Sequence, residues 1–181
     1  MRQILKLHPE SQCVAVTRVE VEVARQFPDF MQLNYFVWGT MSDLRIPAKT
    51  TPARADGLWR HTCFEAFVRP AQGVAYYEFN FAPSLHWAAY RFNAYRSGMR
   101  MAGEARDPTL EVRSTASRYE LQASLDFSRF PDLRDHALLQ LNLAAVIEES
   151  SGRISYWAVT HPPGKADFHH GNCFTLELPA A

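Results

Sequence analysis

The sequence predicts an all-β fold, arranged as a two-sheet antiparallel β-sandwich with little helix. The first observation behind this prediction is that apolar residues recur at every second position through most of the chain, as they do in strands. The second is that short segments of turn-forming residues separate the alternating runs, which is typical of a sandwich. The third is that no long stretch has a helical period.

The alternating runs predict the individual strands. The valines from Val14 to Val23 change parity near Thr17-Arg18, which predicts a bulge or a bend between sheets. Further strands are predicted within residues 33–38, 63–68, 76–81, 120–127, 139–144, 154–159 and 174–178. Residues 84–95 are ambiguous, but the turn-forming Pro83-Ser84 favours a strand there too. Tight turns are predicted at 71–73 and 150–152, and long loops at 46–57 and 97–109.

Composition limits the possible functions. A chain of 181 residues with 47% apolar residues predicts one domain over residues 1–181. Its formal net charge is zero, so we expect neither nucleic acid nor membrane as a partner. Three scattered cysteines and the absence of a signal-like or membrane-length apolar run predict a reduced, cytoplasmic protein. Nothing in the sequence indicates an oligomeric state.

Two neighbouring segments place polar groups inside apolar strands. Trp59 lies where a loop meets a strand, and Glu65 follows within that strand, where it either faces solvent or belongs to a site. Glu78 and Asn80 share one face of the next strand because they are two residues apart. Trp87 and Arg91 follow in the next segment. Trp87 belongs either to the core or to the site. Aromatic rings beside carboxyl and amide groups suit a sugar ligand.

A third segment places Trp157, His161, Asp167 and His169 in or before a loop rich in proline and glycine. These residue types occur in metal sites, but their spacing matches no zinc signature. We therefore expect them to shape the loop or to contact a ligand, and we predict no metal and no cofactor.

The order of these motifs resembles family 9 carbohydrate-binding modules and a DOMON-like subgroup related to them. The resemblance runs from about Trp59 to the end of the chain and is most specific over Leu58–Tyr90. It implies a β-sandwich in which two tryptophans clamp a sugar and a glutamate binds its hydroxyl groups. Trp59 and Glu65 match the first tryptophan and the glutamate, and Trp157 is the candidate for the second tryptophan. Arg91 is the candidate for the family's arginine.

The chain also departs from the family pattern. His61-Thr62 stand where the sugar-binding modules usually carry an acidic pair, and those modules belong to secreted enzymes. Other DOMON domains hold haem through a methionine and a histidine. Met31, Met41, Met99 and Met101 offer sulfur here, but the sequence indicates no methionine–histidine pair.

The expected function is therefore a non-catalytic small-ligand-binding domain whose ligand is a mono- or oligosaccharide. One alternative is an enzyme that uses Glu65 and Glu78 as an acid–base pair, or a metal held by His161, Asp167 and His169. A second alternative is haem binding, and a third is an interaction domain without a ligand. No phosphate loop, dinucleotide fingerprint or nucleophile elbow supports an enzyme.

Overall fold

The computed structural model describes residues 1–180 and consists almost entirely of β-strands. The strands are β1 (Arg2–Leu7), β2 (Val16–Phe27), β3 (Phe30–Gly39), β4 (Ala53–Arg54), β5 (Cys63–Pro70), β6 (Tyr76–Phe81), β7 (His86–Phe92), β8 (Arg100–Met101), β9 (Thr109–Ser114), β10 (Arg118–Asp126), β11 (Leu138–Glu148), β12 (Ile154–Ala158) and β13 (Leu176–Pro179). The α-helix within these residues is α1 (Pro131–Arg134), and short 3-10 helices span Met41–Asp43, Leu58–Arg60 and Gly171–Cys173. The prediction of an all-β fold with little helix is confirmed.

The strands follow one hydrogen-bonded order, β4-β7-β6-β5-β11-β12-β1-β2-β3-β10-β9, with β13 on β11 and β8 on β7. The link between the two halves is β1, which pairs with β2 through residues 2–5 and with β12 through residues 6–7. The two sheets expected from the sequence are thus connected as one curled sheet. Nearly all neighbouring strands are antiparallel, although β4 runs parallel to β7.

The main core lies where the two halves of the curled sheet face each other. The ring centroids of Tyr35 on β3 and Phe64 on β5 are 5.0 Å apart, and Phe64 also stacks on Tyr119 of β10. The Tyr35 hydroxyl donates a 2.8 Å hydrogen bond to the Glu65 carbonyl oxygen, which ties the halves together within the core. Gly39 sits where the backbone of β2 approaches closely, since an added Cβ would lie 2.0 Å from the Ala15 carbonyl oxygen.

A second apolar cluster covers the outer face of the half formed by β7, β6, β5, β11 and β12. It includes Phe67, Tyr76, Phe92 and, from the segment after β12, Phe168 and Phe174. Residues 160–175 therefore cover this face, so both faces of β5 and β6 are buried. Polar side chains on the outer face of these strands therefore lie under a covering loop. Burial on both sides also hides the alternation of apolar and polar residues.

Most sequence-predicted elements lie close to their expected positions. The change of parity near Thr17-Arg18 corresponds to a register shift between β2 and β3, and the ambiguous segment contains β7. The predicted turns join β5 to β6 and β11 to β12. The strands β1 and β9 were not predicted, and each predicted loop contains a two-residue strand, β4 or β8. No helix within residues 1–180 is long and apolar enough to cross a membrane.

Candidate functional site

A cavity of about 330 Å³ lies on the covered outer face, between the sheet and the segment after β12. Its floor comes from β5, β6 and β11, and its walls come from the 3-10 helix at Leu58–Arg60, the turn after β7 and the loop after β12. The lining residues are Trp59, Glu65, Glu78, Phe92, Arg96, Met99, Val146, Tyr156, Ala166, Phe168 and His169. Four of the ten site residues predicted from the sequence, Trp59, Glu65, Glu78 and His169, are among them.

Trp59 provides the accessible aromatic surface of this cavity. It lies in the 3-10 helix that follows Gly57, whose φ of 74° places it in the left-handed region that glycine adopts without strain. The Trp59 ring packs edge-on against Tyr90, with centroids 5.9 Å apart, and Tyr90 donates a 2.7 Å hydrogen bond to Asp56. This support holds the indole in place while 37% of the residue stays exposed. A held, half-exposed indole can stack on a ligand at small entropic cost.

The cavity floor carries two buried carboxyl groups. Glu65 on β5 lies opposite Asn80 on β6, and Glu78 lies two residues before Asn80 on the same face. Glu65 and Glu78 are only 3% and 4% exposed, so the interpretation that Glu65 faces open solvent is wrong. Asn80 donates a 2.7 Å hydrogen bond to Glu78 Oε1. Within residues 1–180, Glu65 Oε1 has no hydrogen-bond partner.

Burial changes the protonation of this cluster. Desolvation raises the pKa of Glu78 to about 7, although the hydrogen bond from Asn80 and the positive charge of Arg96 oppose the rise. The pKa of Glu65 is raised well above its ordinary value, first by desolvation and then by the charge of Glu78. Since two neighbouring carboxyl groups cannot easily both ionise in a buried site, the floor holds at least one proton near neutral pH.

His169 joins the floor to the covering loop. Its Nδ1 lies 2.8 Å from the Tyr76 hydroxyl, and its Nε2 lies 3.7 Å from Glu78 Oε2. Desolvation and the nearby positive charge of Arg96 lower the pKa of His169 to about 4, so the ring is neutral at pH 7. The imidazole is therefore a polar wall of the cavity and carries no charge that would balance Glu78.

Asp167 organises the rim rather than lining the cavity. Its carboxylate accepts hydrogen bonds from the Tyr95 hydroxyl at 2.6 Å, from Arg96 Nη2 at 2.8 Å and from the backbone N–H of His169 at 3.1 Å. These contacts tie the loop after β12 to the turn after β7. The pKa of Asp167 is lowered because these hydrogen bonds and the Arg96 charge outweigh the effect of burial.

His161 fixes the other end of the same loop. Its Nε2–H donates a 2.8 Å hydrogen bond to the Lys6 carbonyl oxygen, and its ring packs edge-on against His8 at 4.8 Å. His8 in turn contacts the Gly164 carbonyl oxygen through Nε2 at 3.0 Å. Burial lowers the pKa of His161. The predicted site residue His161 thus supports the cavity wall from behind.

The predicted site residues Trp87, Arg91 and Trp157 lie on the face of the sheet opposite to the cavity, which corrects the prediction that they contact the ligand. Trp87 and Arg91 share one face of β7, whereas Tyr90 and Phe92 share the cavity face. Trp87 is buried in the main core beneath Arg54. Arg91 pairs with Asp132 at 3.0 Å.

Trp157, the candidate for a second clamping tryptophan, also points into the main core. Its Nε1–H donates a 3.0 Å hydrogen bond to Ser155 Oγ, and only 5% of the residue is exposed. The neighbouring Tyr156 lines the cavity instead. Asn80 is on the correct face but lies fully buried below Glu78, so it positions that carboxyl group without lining the cavity.

Several lining residues were missed by sequence reasoning. Arg96 and Met99 lie in the turn and loop after β7, where no periodic pattern exists, and Phe168 comes from the covering loop. The strand pairing would place Tyr156 on the cavity face, since Tyr156 pairs with Val146 and Val146 pairs with Cys63 on that face. That inference depends on knowing the strand order, which the sequence pattern leaves open.

The metal alternative is not assembled in this structure. In the part of the chain that the structure describes, no three His, Cys, Asp or Glu side chains are grouped to hold a metal ion. Asp167 is bound to Tyr95 and Arg96, while His161 is bound to the backbone of Lys6.

The residues around the cavity also do not fit a haem. His169 Nδ1 is hydrogen-bonded to the Tyr76 hydroxyl, and its Nε2 faces the Glu78 carboxyl group at 3.7 Å. Met31 and Met41 lie in the main core.

Comparison with known proteins supports the fold. No protein-family model matches the chain, and no curated protein matches its sequence. A solved structure of a candidate carbohydrate-binding protein from Bacteroides uniformis has a TM-score of 0.69 and 16% identity, over 99% of this chain and 85% of that one.

A family 9 carbohydrate-binding module from Caldicellulosiruptor kristjanssonii, solved with glucose, has a TM-score of 0.52 and 11% identity, over 97% of this chain and 83% of that chain. The module solved with cellotriose gives 0.51 and 10%, over 96% and 76%. The resemblance to family 9 modules is therefore confirmed at the level of the fold, and the DOMON likeness stays a prediction.

Proposed function

We propose that this chain is a non-catalytic binding domain that holds a mono- or oligosaccharide in the cavity beside Trp59. The observation that carries the proposal is the cavity itself, in which a half-exposed indole stands over buried carboxyl groups. Sugars present both apolar C–H faces and hydroxyl groups, so they match an aromatic plate next to hydrogen-bonding side chains. The fold shared with carbohydrate-binding modules supports the same ligand class.

The size of the cavity favours a small ligand. A volume of about 330 Å³ lies at the lower end of the range of roughly 300–1,000 Å³ that is typical of small-molecule sites. Phe168 stands in the wall and Trp87 lies on the other face of the sheet, so neither side chain fills the cavity. This space favours a ligand-binding domain over an interaction domain without a ligand.

The proposed contacts follow from the lining. Trp59 stacks on one face of the sugar ring, Glu65 and Glu78 bind hydroxyl groups at the floor, and His169 and Tyr156 bound the sides. Because the pair of carboxyl groups holds at least one proton near neutral pH, the floor can both donate and accept hydrogen bonds. The predicted ligand roles of Arg91, Trp87 and Trp157 are not part of this proposal.

Isothermal titration calorimetry with glucose, cellotriose and other mono- and oligosaccharides tests the proposal. Saccharide binding is expected, and the variant Trp59→Ala should weaken it by about tenfold or more, since a lost stacking contact is worth about 1.4 kcal/mol. The matched control is Trp38→Ala, because Trp38 is also half-buried but packs against Arg18 on the other half of the sheet. An absence of heat at millimolar saccharide would overturn the proposal.

A second candidate function is acid–base catalysis on the same ligand class. The observation that favours it is that Glu65 and Glu78 lie on one face, line one cavity and have raised pKa values. A protonated and an ionised carboxyl group are the pair that glycoside hydrolysis requires. Release of nitrophenol from nitrophenyl glycosides that disappears in both Glu65→Gln and Glu78→Gln would support catalysis over simple binding.

The location of the protein is also part of the proposal. We retain a cytoplasmic location, which the cysteine pattern favours, and fractionation of the source cells tests it. Recovery of the chain outside the cytoplasm would contradict this part without affecting the proposed ligand.

A further inference from the structure

Within residues 1–180, neither carboxyl group at the cavity floor forms an ion pair with an arginine or a lysine. The charged or titratable side chains that line the cavity are Glu65, Glu78, Arg96, Tyr156 and His169. The Arg96 guanidinium is bound to Asp167 through Nη2 at 2.8 Å and Nε at 3.2 Å, so its charge is already paired. His169 is neutral because its pKa is about 4. The two carboxyl groups at the floor therefore face the cavity without a cation of their own.

The same floor has an excess of hydrogen-bond acceptors. Among the described residues, Glu65 Oε1 at the floor and Asn80 Oδ1 beneath it have no hydrogen-bond partner, and both side chains are buried. These residues are directly opposite each other on β5 and β6. Buried polar atoms without partners are costly, and a functional role is one of the reasons for which proteins retain them. The group that best complements this floor brings several donors together with positive charge.

We infer that the ligand carries a protonated amino group, as in an amino sugar, and that this ammonium group lies between Glu65 and Glu78. The inference rests on the proposed sugar-binding function and specifies its ligand class. An ammonium group has three donors, which suits two carboxyl groups and their acceptor-rich surroundings, whereas a hydroxyl group has one. The ring of Trp59 in the same cavity adds attraction for a cation near its face.

A metal cation is a poorer match to these residues. At the floor, only Glu65 and Glu78 offer carboxyl oxygens. Within residues 1–180, no third His, Cys, Asp or Glu joins them in a metal-binding arrangement. The loop and the aromatic wall enclose a volume suited to a sugar-sized molecule. An organic cation uses both the acceptor floor and the aromatic wall, while a bare ion uses only the floor.

Calorimetric titration of the intact chain with glucosamine, glucose and N-acetylglucosamine tests this inference. These ligands differ at one position, where glucosamine alone has a charge. Glucosamine should bind about tenfold more tightly than the other two, since a hydrogen bond to a charged group is worth about 1.4 kcal/mol more than a neutral one, which corresponds to a tenfold difference in affinity. Glu65→Gln and Glu78→Gln should each reduce the preference for glucosamine over glucose.

The control variant is Glu20→Gln, because Glu20 is equally buried but pairs with Arg2 and Arg18 on the other half of the sheet. It should keep the full preference for glucosamine. Equal affinities for the three ligands would overturn the inference and leave the proposed sugar-binding function standing. If no saccharide binds, the proposed function fails and this inference fails with it.

Discussion

Replacement of Glu78 by glutamine should make the stability of the protein less sensitive to pH. In the folded protein, burial raises the pKa of Glu78 from the usual 4.5 to about 7. Between these two values the folded state keeps a proton that the unfolded state has released, so unfolding releases a proton. The stabilising contribution of this proton is complete below pH 4.5 and is lost as the pH rises through 7.

The size of the effect follows from the same two values. Each pH unit of difference between the folded and unfolded pKa corresponds to about 1.4 kcal/mol, so the contribution of Glu78 amounts to about 3 kcal/mol. His169 acts in the opposite direction, because its pKa is lowered to about 4 and its contribution is lost on acidification below 6.5. The two effects overlap between pH 4.5 and 6.5. The informative quantity is therefore the difference in the free energy of unfolding between wild type and variant at each pH.

Urea denaturation at pH 5, 6, 7 and 8, followed by tryptophan fluorescence, measures this difference. Relative to wild type, the free energy of unfolding of Glu78→Gln should rise by about 2.5 kcal/mol between pH 5 and pH 8, since the first part of the effect falls below pH 5. His169 is common to both proteins, so its titration contributes little to the difference. The Glu20→Gln variant, which loses ion pairs with Arg2 and Arg18, serves as the control. A difference that stays constant across these pH values would refute the reasoning.

Three further predictions concern the parts of the site. Asp167→Asn weakens the acceptor of the hydrogen bonds from Tyr95 and Arg96, so the backbone amides of residues 166–169 should exchange hydrogen faster. Unchanged exchange would contradict the role of Asp167 in tying the loop after β12 to the turn after β7. Arg91→Ala should leave saccharide affinity unchanged while costing about 0.5 kcal/mol for a partly exposed ion pair, and a tenfold loss of affinity would place Arg91 in the site. Binding of glucosamine at pH 6 should release about one proton from the carboxyl pair, which calorimetry in buffers of different ionisation enthalpy detects; equal heats in all buffers would contradict it. The other groups facing the pair, Cys63, Tyr76, Tyr90, His169 and Arg96, keep their protonation at that pH.

The strands were largely predictable because their alternation is strong. In β10, Leu121, Ala123 and Leu125 face the core while the residues between them are more exposed. The strands β1 and β9 escaped prediction because each is short and has few buried residues to set a period. Alternation identifies a strand but does not reveal its neighbours. The strand order, in which β1 connects the two halves of one curled sheet, therefore could not be predicted from the sequence.

The candidate site was predictable only in part, for a related reason. Where both faces of a strand are buried, as in β6, period-two reasoning cannot decide which face belongs to the main core. Trp157 and Tyr156 are adjacent aromatic residues on opposite faces of β12, and the sequence alone did not distinguish the core residue from the cavity residue. Glu65 and Glu78 were identified because a carboxyl group in an apolar strand needs an explanation.

The remaining part of the site depends on contacts distant in sequence. The pairing of Arg96 with Asp167 joins residues 71 positions apart and connects two irregular segments. The contact of Tyr76 with His169 spans 93 positions. No local pattern encodes such pairings, so the rim and the neutral state of His169 became visible only in three dimensions.

The tryptophan indoles offer the most direct test of the cavity as the sugar-binding site. The chain has four tryptophans, and each indole N–H gives its own signal in a proton–nitrogen correlation spectrum. During titration with glucosamine or glucose, the signal of Trp59 should shift together with the amides of residues 166–169, while those of Trp38, Trp87 and Trp157 stay in place. A Trp59 signal that does not move at saturating sugar, or shifts centred on another tryptophan, would contradict the account.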